Sequence, residues 1–213
     1  EELIPREEEV AESDEIPEDI VSQMRDMGLF GLTIPEEYGG LGVTMEEEVN
    51  IAFELGRTSP AFRSFIGTNN GIGSIGILVD GTDEQKANYL PQLASGDIIS
   101  SFCLTEPDSG SDAASLRTTA VKDGDDYLIN GTKRYISNGS MARLYFIIAR
   151  IDKTKTLSEG GAVFVVPHDT PGFRPGFFHE KSSQRLATNG TFHLEDCRVP
   201  ATNLLVGEGM LGE

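Results

Sequence analysis

The chain has 213 residues, with 17 Lys and Arg against 35 Asp and Glu and a formal charge of −18 at neutral pH. That balance argues against nucleic acid, which needs a basic footprint, and no apolar run reaches the roughly 20 residues of a membrane-spanning helix. The length suits one large domain or two modest ones.

No basic, apolar leader opens the sequence, so no signal peptide is visible. Cys103 and Cys197 fit no metal or redox spacing and read as reduced thiols. Together these features point to a cytoplasmic protein, or a mitochondrial-matrix one if it is eukaryotic. The acidic excess, much of it in residues 1–19, reads as a solubility feature.

Residues 1–15 are charge-rich without a periodic apolar face and predict a frayed lead-in. A helix is expected from Pro17, a favoured first-turn residue. Ile20, Val21, Met24 and Met27 form its apolar stripe, and Gly28 ends it. Residues 34–42 read as a Pro/Gly turn region. Thr44 with Glu47, and Thr82 with Gln85, spell capping boxes. The first predicts a helix that buries Val49, Ala52 and Phe53 and stops at Gly56; the second predicts one running toward Pro91. Ser59-Pro60 starts another helix between them.

Gly71, Gly73 and Gly76 spell a dinucleotide-binding glycine pattern, and Asp97 follows at a suitable distance. That fingerprint needs a strand before it and a βαβ unit around it. Here the segment lies among helices, so the glycines read as aids to close helix packing.

From Ile98 the pattern changes to strands. Asn130-Gly131 predicts a hairpin turn between 127–129 and 134–136. Residues 144–151 and 162–166 read as buried strands, and Asn189-Gly190 precedes another at 191–194. Short strands separated by turns predict a sandwich or barrel. The fold class is therefore α+β: a helical N-terminal domain over residues 1–97, then an all-β, barrel-like domain over 98–213. His168, His179 and His193 share no ligand spacing, so no metal site is expected.

The stretch with the most chemistry runs from Phe102 to Asp112. An apolar strand breaks into a loop where Pro107 removes a donor and Gly110 can take positive φ. Thr105, Ser109 and Ser111 bring hydroxyls, and loop amides are free to face an anion. A ligand cradle and an ordinary polar turn both fit those residues.

Phe102-Cys-Leu-Thr-Glu-Pro-Asp-Ser-Gly-Ser-Asp112 resembles the flavin-binding signature of acyl-CoA dehydrogenases: an aromatic, Cys, a small aliphatic residue, then Thr-Glu-Pro-Gly-Ala-Gly-Ser-Asp. Tyr127-Leu-Ile-Asn-Gly-Thr-Lys-Arg-Tyr-Ile-Ser-Asn-Gly139 is similar to that family's Tyr-x-Ile-Asn-Gly-x-Lys-x-Trp-Ile-Thr-Asn-Gly. Leu194-Glu-Asp-Cys-Arg-Val-Pro200 resembles its Phe-Glu-Asp-Val-x-Val-Pro. Residues 34–42, and Gln85-Lys86 through Tyr89-Leu90-Pro91, match too, so the resemblance covers nearly the whole chain.

The resemblance implies a helical domain, a β-barrel domain and a C-terminal four-helix bundle that this sequence lacks. The chain thus reads as a fragment. It also implies FAD and the α,β-dehydrogenation of an acyl-CoA thioester. Phe102, Leu104 and Thr105 would line the isoalloxazine. Gly110 and Ser111 would lie by the ribityl and pyrophosphate, with Ser111 also near the acyl-CoA substrate. Tyr135, Ile136 and Ser137 would pack on the other side. Without the resemblance Phe102 and Tyr135 read as barrel core, and Arg185 is left without a role. The catalytic base would be a glutamate of the missing bundle, so no catalytic residue is assigned, and Glu106 is not taken as its substitute. An electron-transfer flavoprotein or similar acceptor and a homo-tetramer are the implied partners. An acyl-CoA oxidase-like flavoenzyme and a non-catalytic assembly subunit are the alternatives.

The departures are specific. Asp108-Ser109 replaces Gly-Ala and brings a charge toward the pyrophosphate region. Tyr135 stands for Trp, Ser137 for Thr, and Ser183 for a Gly before Gln184-Arg185.

Overall fold

The computed structural model describes residues 3–13 and 15–207. Helices α1 (Glu7–Ser13), α2 (Glu18–Asp26), α3 (Met45–Leu55), α4 (Pro60–Thr68), α5 (Ser74–Asp80) and α6 (Asp83–Ser95) come first. Strands β1 (Ser100–Cys103), β2 (Thr119–Asp123), β3 (Asp126–Ser137) and β4 (Leu144–Arg150) follow. A short helix, α7 (Leu157–Gly160), precedes β5 (Gly161–Pro167), β6 (Phe173–Phe178), β7 (Asn189–Pro200) and β8 (Leu204–Val206). A helical part followed by a sheet-rich part is the expected α+β organisation.

Both capping boxes form: Thr44 with Glu47 on α3 and Thr82 with Gln85 on α6. Each pairs two backbone donors that a helix start would otherwise leave free. Pro17 caps α2, and Gly28 follows it in the left-handed region at φ +71°.

Four helical details differ from expectation. The lead-in is helical at α1, because Val10 finds a core to enter and is buried. On α3 the buried residue is Leu55, with Ile51 packed behind it; Val49 and Phe53 are 45% and 72% exposed, and Ala52 is exposed too. Met27 leaves the α2 stripe one turn late and is exposed. Among the glycines, Gly73 serves a strand rather than a helix. A Cβ there would stand 1.9 Å from Ser100 Oγ on β1, whereas one at Gly71 would meet nothing within 4 Å.

The sheet runs β6-β7-β3-β2-β4-β5-β8, with β1 added parallel to β4. It curls so that seven strands, β1 to β7, send side chains into one core, including Cys103, Ala120, Ile129, Ile147, Phe164, Phe173, Phe192 and Val199. The other face of β4 and β5 carries Leu144, Phe146, Ile148, Val163 and Val165. These pack on Ile77, Leu90 and Leu93 of the helices. Burial on both faces is why these strands read as unbroken apolar runs rather than alternating ones.

The hairpin expected at Asn130-Gly131 is absent. β3 runs straight through it, and the chain turns instead at Gly124, where Asp123 pairs with Asp126. The Asn-Gly pair marks a register shift against β7. The Asn130 side chain bonds Asp196 on both its amide and its carboxylate, at 2.8 and 3.0 Å. Gly131 is needed because a Cβ would lie 2.3 Å from Thr118 Oγ1. Glycine inside a strand marks a bulge or a close approach as readily as a turn.

Three buried asparagines act as ties: Asn69 and Asn138 join the helices to the sheet, and Asn70 joins segments of the helical part. Asn69 donates to the carbonyls of Leu93 and Ile98 and accepts from the Ser100 amide at 2.9 Å. Asn70 accepts from the Leu32 amide at 2.6 Å. Asn138 donates into the end of α4, at Ser64 O, Phe65 O and Thr68 Oγ1.

Candidate functional site

β1 ends at Cys103, and the loop beyond it is laid against β3. Ser101 Oγ donates to Ser137 O at 2.7 Å, and Arg134 N donates to Thr105 O at 2.8 Å. The two segments singled out in the sequence, 102–112 and 135–137, are therefore neighbours.

The fastening is a buried ion pair. Lys133 and Glu106 are both buried, with Nζ 2.9 Å from Oε1. Lys133 also donates to Leu104 O at 3.1 Å. Glu106 accepts from the amides of Arg117 (2.6 Å) and Thr118 (2.9 Å) and from the Thr118 hydroxyl. Burial alone raises the Glu106 pKa, but the Lys133 charge and the bonds from Thr118 and Arg117 outweigh it. They hold the carboxyl below its usual range. A carboxylate with both oxygens occupied is a strut, not a free base.

Sequence reasoning missed this pair, although a signal was present. Tyr127, Ile129 and Lys133 share one face of β3, two of them plainly core, and a lysine in that register needs a buried partner. A second register shift between Lys133 and Ile136 then resets the alternation. It turns Tyr135 and Ser137 outward and Ile136 inward.

The side chain of Ile136 thus departs from expectation. It is buried in the sheet core, and only its main chain remains for a ligand. Phe102 and Leu104 are half-buried and pack toward the helix-side core, with Cys103 between them facing the other way. Thr105 is half-buried; Gly110 and Ser111 are exposed. Gly110 is not at positive φ, contrary to the expected use of its freedom. What it supplies is bare backbone, with nothing within 4 Å of where a Cβ would stand.

The altered loop is closed by its own bonds. Glu106 and Ser109 exchange backbone bonds at 2.9 and 3.2 Å, closing a tight turn. Ser109 is buried and donates to Asp112 O at 2.7 Å. Asp108 stands outside, 3.2 Å from Arg117, which offsets its charge.

Tyr135 is exposed and sits at φ +59°. The Arg134 guanidinium lies 4.8 Å from its ring centre and the His179 ring 4.5 Å away. The Nε of Arg134 is buried without a partner. Both cysteines are inert as nucleophiles: burial pushes Cys103 up to about 12 and Cys197 to about 11. Among the described residues no cluster of three His, Cys, Asp or Glu is placed to hold a metal. No helix among them is long and apolar enough to cross a membrane. Arg185 donates to Ala11 O at 2.5 Å and so ties 185 to α1.

Comparison with known proteins places this arrangement. Residues 1–97 match the acyl-CoA dehydrogenase N-terminal domain, and residues 101–197 match the acyl-CoA dehydrogenase middle domain. An acyl-CoA dehydrogenase of Bacillus subtilis is 38% identical over 210 residues, which is 98% of this chain and 55% of that protein. The acyl-CoA dehydrogenase of Geobacillus kaustophilus superposes with a TM-score of 0.91 at 36% identity, covering 98% of this chain and 55% of that one. A glutaryl-CoA dehydrogenase from Mycobacterium smegmatis, in complex with FADH2, gives 0.88 at 35%, covering 98% and 52%. The chain spans about half the length of the relatives it matches. With both domain types in order and the strand-to-loop segment braced on β3, the chain belongs to the acyl-CoA dehydrogenase family.

Proposed function

We propose that the full-length protein is an FAD-dependent dehydrogenase that converts an acyl-CoA thioester to the trans-2-enoyl-CoA. The observation that carries this reading is the juxtaposition of 102–111 with 135–137, braced by Lys133 and Glu106. It leaves hydroxyls, bare backbone and an exposed aromatic ring on neighbouring segments. That donor set fits a flavin: hydroxyls for its polar edge, open backbone at Gly110 for a phosphate, and ring surface for stacking.

In this reading Phe102, Leu104 and Thr105 line one part of the ring, and Tyr135, the Ile136 main chain and Ser137 another. Gly110 and Ser111 lie by the ribityl and pyrophosphate, and Ser111 also meets the acyl-CoA. FAD, when bound, supplies the acceptor for the hydride from Cβ. The chain's own residues orient it and hold donors where charge develops. The base that takes the Cα proton is, as the family resemblance implies, a glutamate in the part of the relatives' length that this chain does not span; Glu106, fully engaged, is not its substitute. An electron-transfer flavoprotein or similar acceptor, a homo-tetrameric full-length protein and a cytoplasmic setting (mitochondrial matrix if eukaryotic) belong to the same reading.

The test is anaerobic mixing of the FAD-loaded full-length protein with saturated acyl-CoAs of graded length. One of them should bleach the flavin and yield enoyl-CoA, with turnover to an artificial acceptor on the order of 10 per second. The 213-residue chain alone should give none. Hydrogen peroxide formed in step with substrate under air would favour an oxidase instead. No bleaching with any acyl-CoA would contradict both.

A further inference from the structure

Asn189 faces Ser137 across the β3–β7 ladder. Its side-chain NH2 has two protons, and both have acceptors. Ser137 Oγ lies 3.1 Å from Nδ2 and the Tyr135 carbonyl 3.3 Å. The carbonyl can only accept, so the amide cannot be turned over without setting two oxygens against each other. The Asn189 main chain is held as well: its carbonyl accepts from His179 N at 2.8 Å.

A serine hydroxyl that accepts from an amide keeps its own proton for another acceptor. Ser137 is exposed, and its proton has no acceptor among the described residues. The same amide grips Tyr135 where its backbone is left-handed, an uncommon conformation for a bulky residue.

We propose that Asn189 is a positioning residue. It turns the Ser137 O–H outward and pins the left-handed Tyr135 peptide, so that the site presents a fixed donor to the flavin edge. This rests on the flavin reading above. A fixed donor favours the form of the ring with more electron density, which is the reduced one.

The experiment is the two-electron midpoint potential of FAD in the full-length protein. It compares the unmodified protein with Ser137→Ala, Asn189→Asp, Asn189→Leu and the Ser137→Ala/Asn189→Leu pair. Asparagine and aspartate are nearly isosteric, but the carboxylate only accepts and would draw the Ser137 proton inward. Each single variant should lose about tenfold in preference for reduced FAD, a fall of about 30 mV for a two-electron couple. The pair should fall no further than Ser137→Ala alone. If Asn189→Leu does not fold, the neutral Asn189→Ala decides in its place, since the charge of Asn189→Asp would by itself lower the potential.

An unchanged potential with FAD bound overturns the proposal and leaves the flavin reading standing. Additive shifts overturn it too, because Asn189 would then act independently of Ser137. If the unmodified full-length protein does not hold FAD, the flavin reading falls first and this inference with it.

Discussion

Lys133→Met is expected to remove about 3–5 kcal/mol of folding stability, the range for breaking a buried ion pair from one side. The substitution keeps most of the side-chain volume, so the loss is electrostatic rather than a cavity. It leaves the buried Glu106 carboxylate without its counter-charge, held only by the Arg117 and Thr118 donors, and takes the Lys133 donor from the Leu104 carbonyl. Glu106→Gln should cost a similar amount for the converse reason, since it strands a buried ammonium. The double variant should recover part of either loss, and the coupling in a denaturant double-mutant cycle measures the pair.

The pair also sets acid sensitivity. Glu106 has a folded pKa below its unfolded value, which lies near about 4.3. Its contribution is therefore complete above that value and fades as pH falls through the folded pKa. Glu106→Gln should flatten the stability–pH curve in that acid window and leave its neutral slope alone. Equal stability of Lys133→Met and the unmodified protein would mean that the loop is held by something other than this pair.

Phe192→Ala should cost about 3–5 kcal/mol, as deletion of a large buried aromatic does. Phe192 stacks on Phe173 with centres 5.2 Å apart and planes 4° apart, and meets Tyr145 at 5.1 Å. Gly139 and Gly190 press their backbones against it: a Cβ at either would come within 3 Å of its ring. Those glycines flank Asn138 and Asn189. The cavity should therefore loosen the Ser137–Asn189 contact as well as the core. Phe192→Leu, which refills much of the space, should cost far less. A loss below about 1 kcal/mol for Phe192→Ala, read from chemical denaturation, would contradict a packed aromatic core at this position.

Much of the fold could be read directly where local chemistry decides. The capping boxes at Thr44 and Thr82 are satisfied by residues three positions away. The double-sided burial of β4 and β5 is visible as unbroken apolar runs. Misreadings fell where a distant contact decides. Asn130-Gly131 has the chemistry of a turn, but Thr118 and Asp196 make it a bulge. Val49 and Phe53 have the hydrophobicity of core residues, yet Leu55 and Ile51 occupy the face of α3 that meets the core.

The site divides the same way. Its two segments were singled out by their resemblance to family motifs; the local backbone breaks and hydroxyls of 102–112 fitted a cradle and a turn alike. The Lys133–Glu106 brace joins residues 27 positions apart, and the Asn189–Ser137 bond joins residues 52 apart. Neither has a local signature. The inward turn of the Ile136 side chain was not legible because a register shift changes which way each side chain points, and side-chain alternation alone does not reveal a bulge.

The most direct test of the cradle is the visible absorption spectrum of the full-length protein after FAD is added and unbound cofactor removed. Thr105→Val and Ser137→Ala are treated alongside. The account predicts a retained flavin band, shifted from free FAD, with weaker retention or an altered shift in both variants. A full-length protein that is folded and colourless after this treatment would contradict it.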